Sequence, residues 1–244
     1  MKQLLCLILA LFLTACASSE ASSEVEPTPE AQYMKGYHAF QNKDFDTAID
    51  AFDAVEQDFP YSEWAERAQI MMAYAQYHQN KYADALLTLD RFIQLHPGNK
   101  NTPYALYLKG LCYFEQMSDV SREQENTANA EQAFRELIAR YPTSIYRKDA
   151  EAKLLAIQNH LAGQEMEIGR YYQKRHDFTA AMNRFQQVLK NHPTSNQTPE
   201  AYYRLAACYR ALGMDEQSKK IAATLANKYP ESQWSQKALR LAKD

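Results

Sequence analysis

The 244-residue chain carries 46% hydrophobic side chains and six glycines, enough apolar material for a continuous core. Its formal net charge of -3 excludes the basic face that nucleic-acid binding demands. No stretch alternates strictly between apolar and polar residues and no Asn-Gly pair marks a hairpin, so the patterning predicts an all-α protein.

Residues 1–15 read as a signal peptide, with Lys2 as the charged start and Leu4 to Leu13 as the apolar run. That run falls short of the roughly 20 apolar residues that cross a bilayer, so it predicts a signal and not an anchor helix. Leu13-Thr14-Ala15-Cys16 resembles the bacterial lipobox. The likeness implies cleavage before Cys16 and N-palmitoyl and S-diacylglycerol groups on that cysteine, holding the chain to a membrane. Ala17 rather than Asp follows it, which resembles the outer-membrane sorting state of Gram-negative lipoproteins. Residues 16–29 are small, acidic and proline-bearing, a lipidated flexible tether with nothing to bury.

The remainder, residues 30–244, repeats. Pro60, Pro97, Pro142, Pro193 and Pro230 stand 37, 45, 51 and 37 residues apart. Twelve residues before each comes Ala48, Ala85, Ala130, Ala181 or Ser218, and eight before comes Phe52, Leu89, Phe134, Phe185 or Ala222. Helical hairpins of roughly 34 residues are the tetratricopeptide class, and the longer intervals add inserted turns. Gly36, Ala73, Gly110, Gly169 and Ala206 supply a small residue on each first helix, letting the two helices of a hairpin approach closely. The expected fold is a superhelical array of five hairpins, 30–60, 61–97, 98–142, 143–193 and 194–244, closed by a capping helix from Trp234 to Leu241. The polar segment Gln116–Thr127 is expected as a surface loop, and Tyr146–Lys174 as one long helix loosened at Gly163.

Glycine-rich phosphate loops, His-Glu-x-x-His and Gly-x-Ser-x-Gly are all missing, so the chain is not read as an enzyme and no metal or cofactor is expected beyond the lipid on Cys16. His96 and His192 each precede a repeat proline, where imidazole favourably ends a helix. Cys112 and Cys208 occupy one register position two repeats apart, too distant for a disulfide, and are expected as buried thiols.

Stacked hairpins present a groove lined by their first helices. In the tetratricopeptide register the groove positions are Tyr33, Tyr37 and Phe40, then Ile70, Tyr74 and Tyr77, then Tyr107, Leu111 and Phe114. Repeats four and five give Met166, Arg170 and Gln173, then Tyr203, Ala207 and Arg210. The lining thus passes from aromatic to polar and basic, and rigid aromatics suit extended, apolar peptide ends.

Asp90-Arg91-Phe92-Ile93, Tyr104 to Leu111, Arg140-Tyr141-Pro142 with Ser144 and Tyr146, Tyr171-Tyr172 with Arg175, and Asn183-Arg184 together resemble the BamD family, from Tyr33 to about Leu225. Arg175-His176-Asp177 departs from the family's usual Arg-Gly. The resemblance implies a lipoprotein scaffold on the periplasmic face of a Gram-negative outer membrane, in the machinery that inserts β-barrel proteins. Its implied partners are the POTRA domains of BamA, other Bam lipoproteins and unfolded β-barrel proteins. On that basis Tyr33, Tyr37, Phe40, Tyr74, Tyr77, Tyr107 and Phe114 are expected to hold client peptide, while Arg170, Arg184 and Arg210 serve BamA. Arg184 matches the family arginine associated with that coupling, although its place beside Phe185 also suits an ordinary solvated cation. A repeat lipoprotein of secretin or pilus assembly, or a regulator of peptidoglycan synthesis, would share the lipobox and hairpins.

Overall fold

The computed structural model describes residues 28–119 and 124–241, and every regular element among them is an α-helix. The signal peptide, Cys16 and the tether as far as residue 27 lie outside the described residues. Five hairpins follow in order: α1 (Pro29–Gln41) with α2 (Phe45–Asp58), α3 (Glu63–His78) with α4 (Tyr82–Leu95), α5 (Thr102–Glu115) with α6 (Glu125–Arg140), α7 (Arg147–Lys174) with α8 (Phe178–Asn191), and α9 (Thr198–Ala211) with α10 (Asp215–Lys228). Helix α11 (Gln233–Leu241) covers the last hairpin.

Local chemistry sets the ends. The side chains of Thr28, Asp44, Ser62 and Asp177 accept hydrogen bonds from the amides of Ala31, Thr47, Ala65 and Ala180, at 3.1 to 3.3 Å, satisfying donors that a helix start leaves free. The prolines act at the other end. Phe59, His96, Tyr141, His192 and Tyr229, each preceding a repeat proline, have φ between -126° and -135°, because the proline ring disfavours helical geometry in the residue before it. Inside four hairpins one residue turns left-handed: Lys43 at φ 62°, Asn80 at 58°, His176 at 62° and Gly213 at 73°. The amide after it reaches back to the preceding helix, as in Asp177 N–H to the Tyr172 carbonyl at 3.1 Å.

The register of small and large residues is the core. Ala48, Ala85, Ala130, Ala181, Phe52, Leu89, Phe134 and Phe185 are fully buried, and Ser218 and Ala222 are 1% exposed. Ser218 stands where the others have alanine, and its hydroxyl donates to the Ala206 carbonyl at 2.9 Å, so its burial leaves no unmet donor. A methyl on Gly36 would lie 2.8 Å from the Phe52 ring, and one on Gly110 or Gly169 would lie 2.5 Å from Phe134 or Phe185. Where the first helix has Ala73 or Ala206, the facing residue shrinks to Leu89 or Ala222. In the first four hairpins a smaller residue on one helix is matched by a larger one on the other, as close packing requires, and the fifth has alanine on both.

Helix α7 is 28 residues long, about 42 Å, and runs unbroken through Gly163, so the expected loosening does not occur. Its first half contributes Ala150 and Ile157 to the core around Phe134, and its second half contributes Ala162 and Met166 to the core around Phe185. The segment Gln116–Thr127 also differs from the expected loop. Helix α6 already begins at Glu125, and Thr127 is fully buried with its hydroxyl donating to Gln124 Oε1 at 2.8 Å. Residues 120–123 lie outside the described residues.

The first helices touch one another along the array, α1 with α3, α3 with α5 and α7 with α9. Second helices make no comparable contact among the described residues. Close approach on one side only curves the stack, so the first helices line its inner face.

Candidate peptide groove and partner surface

The inner face of hairpins one to three carries a continuous run of aromatic rings. Phe40 of α1 stacks on Tyr74 of α3, with centroids 5.3 Å apart, and both contact His78, at 5.7 and 4.5 Å. Tyr74 meets Tyr104 of α5 edge-on at 6.2 Å, Tyr104 meets Tyr146 at 5.3 Å, and Tyr146 stacks on Tyr107 at 5.1 Å. Beyond Tyr107 the rings connect through buried Phe134, at 6.2 Å, to Phe114, at 6.5 Å, whose face lies 4.6 Å beneath the Lys153 ammonium. From Phe40 through Tyr74 and Tyr104 to Tyr146 the rings lie on α1, α3, α5 and the residue that precedes α7, and Tyr107 returns the run to α5.

The expected groove residues divide. Tyr37, Phe40, Tyr74, Tyr107 and Phe114 are all part-exposed on first helices, and four of them belong to the run. Tyr37 lies outside it, stacked on Tyr33 at 6.4 Å. Tyr33 is wedged between Phe52 at 5.5 Å and Trp64 at 5.0 Å, and burial pushes its hydroxyl pKa up. Tyr77 packs on Tyr82 at 5.7 Å, with its pKa pushed up to about 12, chiefly by burial. Ile70, at 6% exposure, and Met166, fully buried, are core residues and not groove lining. Ile70 packs into the core around Phe92, and Met166 into the core around Phe185.

Register reasoning missed Tyr104, His78 and Tyr146. A signal for Tyr146 is present in the sequence: Trp64, Tyr146 and Trp234 each stand four residues after a repeat proline. Each packs against a groove tyrosine of the preceding hairpin, Tyr33 at 5.0 Å, Tyr107 at 5.1 Å and Tyr203 at 5.2 Å, the middle pair stacked and the other two tilted. Tyr203 is therefore covered by Trp234. The pair Tyr104 and Tyr107, one helical turn apart, marks a single aromatic face that a fixed three-position rule skips. Burial pushes the Tyr104 hydroxyl well above the ordinary phenol range. Tyr107 is raised by burial and then by donating its hydroxyl to Asp149 Oδ2 at 2.7 Å.

The three arginines do not form one cluster. Arg170 on α7 pairs with Glu200 at 3.0 Å, and Glu200 also takes Arg204 at 2.6 Å. Arg210 on α9 pairs with Asp215 at 3.2 Å. Arg184 lies on the second helix α8, where it pairs with Glu165 of α7 at 3.1 Å. With Glu165, Tyr172, Asn183 and Gln187 it lines a cleft of about 450 Å³. The Arg184 side chain is 40% exposed, so its ion pair contributes at most about 1 kcal/mol and is readily exchanged.

Cys112 and Cys208 are buried free thiols, and burial pushes their pKa values up to about 12 and about 11. His192 donates or accepts at Nδ1 with Gln158 Oε1 at 2.6 Å, and burial pushes its pKa down, against the cationic helix-end role read from sequence. No group of His, Cys, Asp and Glu among the described residues could hold a metal, and no described helix is long and apolar enough to cross a membrane.

Residues 26–225 match the family model YfiO, described as an outer membrane lipoprotein. The chain is 39% identical to the outer membrane protein assembly factor BamD of Caulobacter vibrioides, over 97% of this chain and 80% of the relative. Against the factor of the same name from Rickettsia prowazekii, identity is 34% over 98% of this chain and 95% of the relative. Among solved structures, the TPR2AB-domain:pHSP90-complex of yeast Sti1 aligns at 14% identity and a TM-score of 0.47, over 88% of this chain and 83% of that one. Because the family model spans most of the chain and relatives above 30% identity extend along nearly all of it, the chain belongs to the BamD family of outer membrane protein assembly factors.

Proposed function

We propose that the chain is a non-enzymatic scaffold of β-barrel assembly, held by lipid on Cys16 at the periplasmic face of the outer membrane. Hairpins one to three receive the aromatic-ended segment of an unfolded barrel protein, and hairpins four and five dock the POTRA domains of BamA. Family membership supports the assembly role. The observation that carries the division of labour is the aromatic run from Phe40 through Tyr74, Tyr104, Tyr146 and Tyr107, which stops where the ion-paired arginines of α7 to α9 begin.

An extended peptide laid across parallel first helices meets one ring per hairpin, and each ring offers large contact area with few rotamers to freeze. At the second site Arg184 exchanges Glu165 for a carboxylate of the partner, which is possible because the internal pair is exposed and weak. Photocrosslinking of the full-length lipidated chain to a barrel C-terminal peptide tests the groove. The Tyr74→Ala variant is expected to lose most of the crosslink with its helix content unchanged. Undiminished crosslinking in that folded variant removes the groove assignment.

A further inference from the structure

At the far end of the aromatic run one cation stands without a counter-charge. Lys153 lies on α7 two turns after Tyr146, and its ammonium sits over the Phe114 ring at 4.6 Å. It is half-buried and pairs with no carboxylate among the described residues. Four other basic side chains on the first helices are committed: Arg67 to Glu63, Lys109 to Asp90, Arg170 to Glu200 and Arg210 to Asp215.

A carboxylate does stand one helical turn from Lys153. Asp149 is four residues upstream, the spacing and order that ordinarily form an ion pair on a helix. It is turned away because Tyr107, across the groove on α5, donates its hydroxyl to Asp149 Oδ2 at 2.7 Å. The part-exposed Tyr107 phenol thus engages the acid that helix spacing would otherwise offer to Lys153. An ammonium on an aromatic face, half desolvated and unneutralised, is an anion acceptor.

We infer that Lys153 receives the α-carboxylate of a peptide whose terminal aromatic residue packs at the Phe114–Tyr107 end of the run, and that Tyr107 is a positioning residue that keeps it open. This rests on the peptide-groove reading and sharpens it to a chemical class: a free C-terminus, not an internal aromatic segment. Chain direction follows, with the peptide's last residue at hairpin three and its upstream residues over Tyr104, Tyr74 and Phe40. A C-terminal amide keeps the aromatic contacts but loses the charge-assisted bond.

The test compares one short synthetic peptide of alternating apolar and polar residues ending in Phe, prepared as free acid and as C-terminal amide. Binding to the full-length chain in detergent is followed by fluorescence anisotropy. The wild type is expected to favour the acid by roughly threefold to tenfold, the range of one partly exposed charge-assisted contact. Lys153→Gln abolishes that preference while keeping amide affinity, and Lys153→Arg restores it. Tyr107→Phe keeps the ring and frees Asp149 to neutralise Lys153, so the acid preference shrinks, and it returns in Tyr107→Phe/Asp149→Asn. Equal binding of acid and amide by the wild type, or a preference that survives Lys153→Gln, overturns the inference. In that case loss of both peptides on Tyr74→Ala leaves the groove reading standing. Failure of the wild type to bind either peptide overturns both.

Discussion

Replacing Gly110 by alanine sets two known effects against each other at one atom. Alanine favours an α-helix over glycine by about 1 kcal/mol, so on propensity alone the substitution stabilises α5. The added methyl, however, would lie 2.5 Å from Phe134 Cε1, 2.7 Å from Cδ1 and 2.8 Å from Cζ, against the roughly 3.5 Å of an ordinary carbon contact. Phe134 has no exposed surface and is flanked by Tyr107 at 6.2 Å and Phe114 at 6.5 Å, so the ring cannot swing aside. Overpacking of this kind costs about 1 to 3 kcal/mol, and an overlap of nearly 1 Å belongs at the upper end. The net expectation is a loss of about 2 kcal/mol, or a fall in Tm of about 4 to 8 °C for a domain of this size. Hairpin two contains the remedy, since Ala73 there faces Leu89. Phe134→Leu in the Gly110→Ala background should recover much of the loss, giving a coupling of about 1 kcal/mol or more in a double-mutant cycle. Thermal unfolding followed by far-ultraviolet circular dichroism reads all four proteins. Gly98→Ala, with nothing within 4 Å of the new methyl, is the control. A Gly110→Ala chain as stable as the wild type, or strictly additive effects, would refute the account of the hairpin interface.

Two further outcomes follow from the same geometry. His176 holds φ at 62° where the equivalent residue of hairpin five is Gly213, and a left-handed L-residue costs about 1 to 2 kcal/mol. Allowing for the greater freedom of glycine in the unfolded chain, His176→Gly should raise stability by about 0.5 to 1 kcal/mol and Gly213→Ala should lower it by about 1, both read in denaturant titrations. At Cys112 and Cys208, burial raises the thiol pKa to about 12 and about 11, so the folded state holds these protons more tightly than the unfolded chain. That contribution is complete below the ordinary thiol pKa of about 9 and is lost as pH rises through it toward 11 to 12. At pH 8 Ellman's reagent should therefore label neither thiol of the native chain within minutes and both in guanidinium. Fast native labelling would contradict their burial.

The repeat register was legible because hairpin packing is periodic. A small residue, an alanine and an aromatic at fixed distances from a proline have one use in a stack of hairpins, and Gly36, Ala48, Phe52 and Pro60 announce it. Helix class, hairpin count and the buried thiols at Cys112 and Cys208 came with that register. Family likeness was legible for the same reason, since the elongated intervals around Pro142 and Pro193 persist in the spacing itself.

Contacts between non-equivalent positions required the tertiary structure. Sequence periodicity places a side chain on a face of its own helix, but says nothing of what crosses from the next. Tyr33 and Tyr77 share the groove register with Tyr74, yet Trp64 covers one and Tyr82 packs on the other. Arg170, Arg184 and Arg210 look alike as isolated cations, and only the fold distributes them over two layers with Glu200, Glu165 and Asp215 as partners. Thr127 reads as polar loop until helix α6 begins early and buries it. Tyr107 and Asp149 are 42 residues apart, and their hydrogen bond exists because the fold brings the first turn of α7 against Tyr107 of α5. Intrahelical periodicity determined the architecture, and the packing of one helix on another decided which of its aromatic and charged side chains remain free to bind.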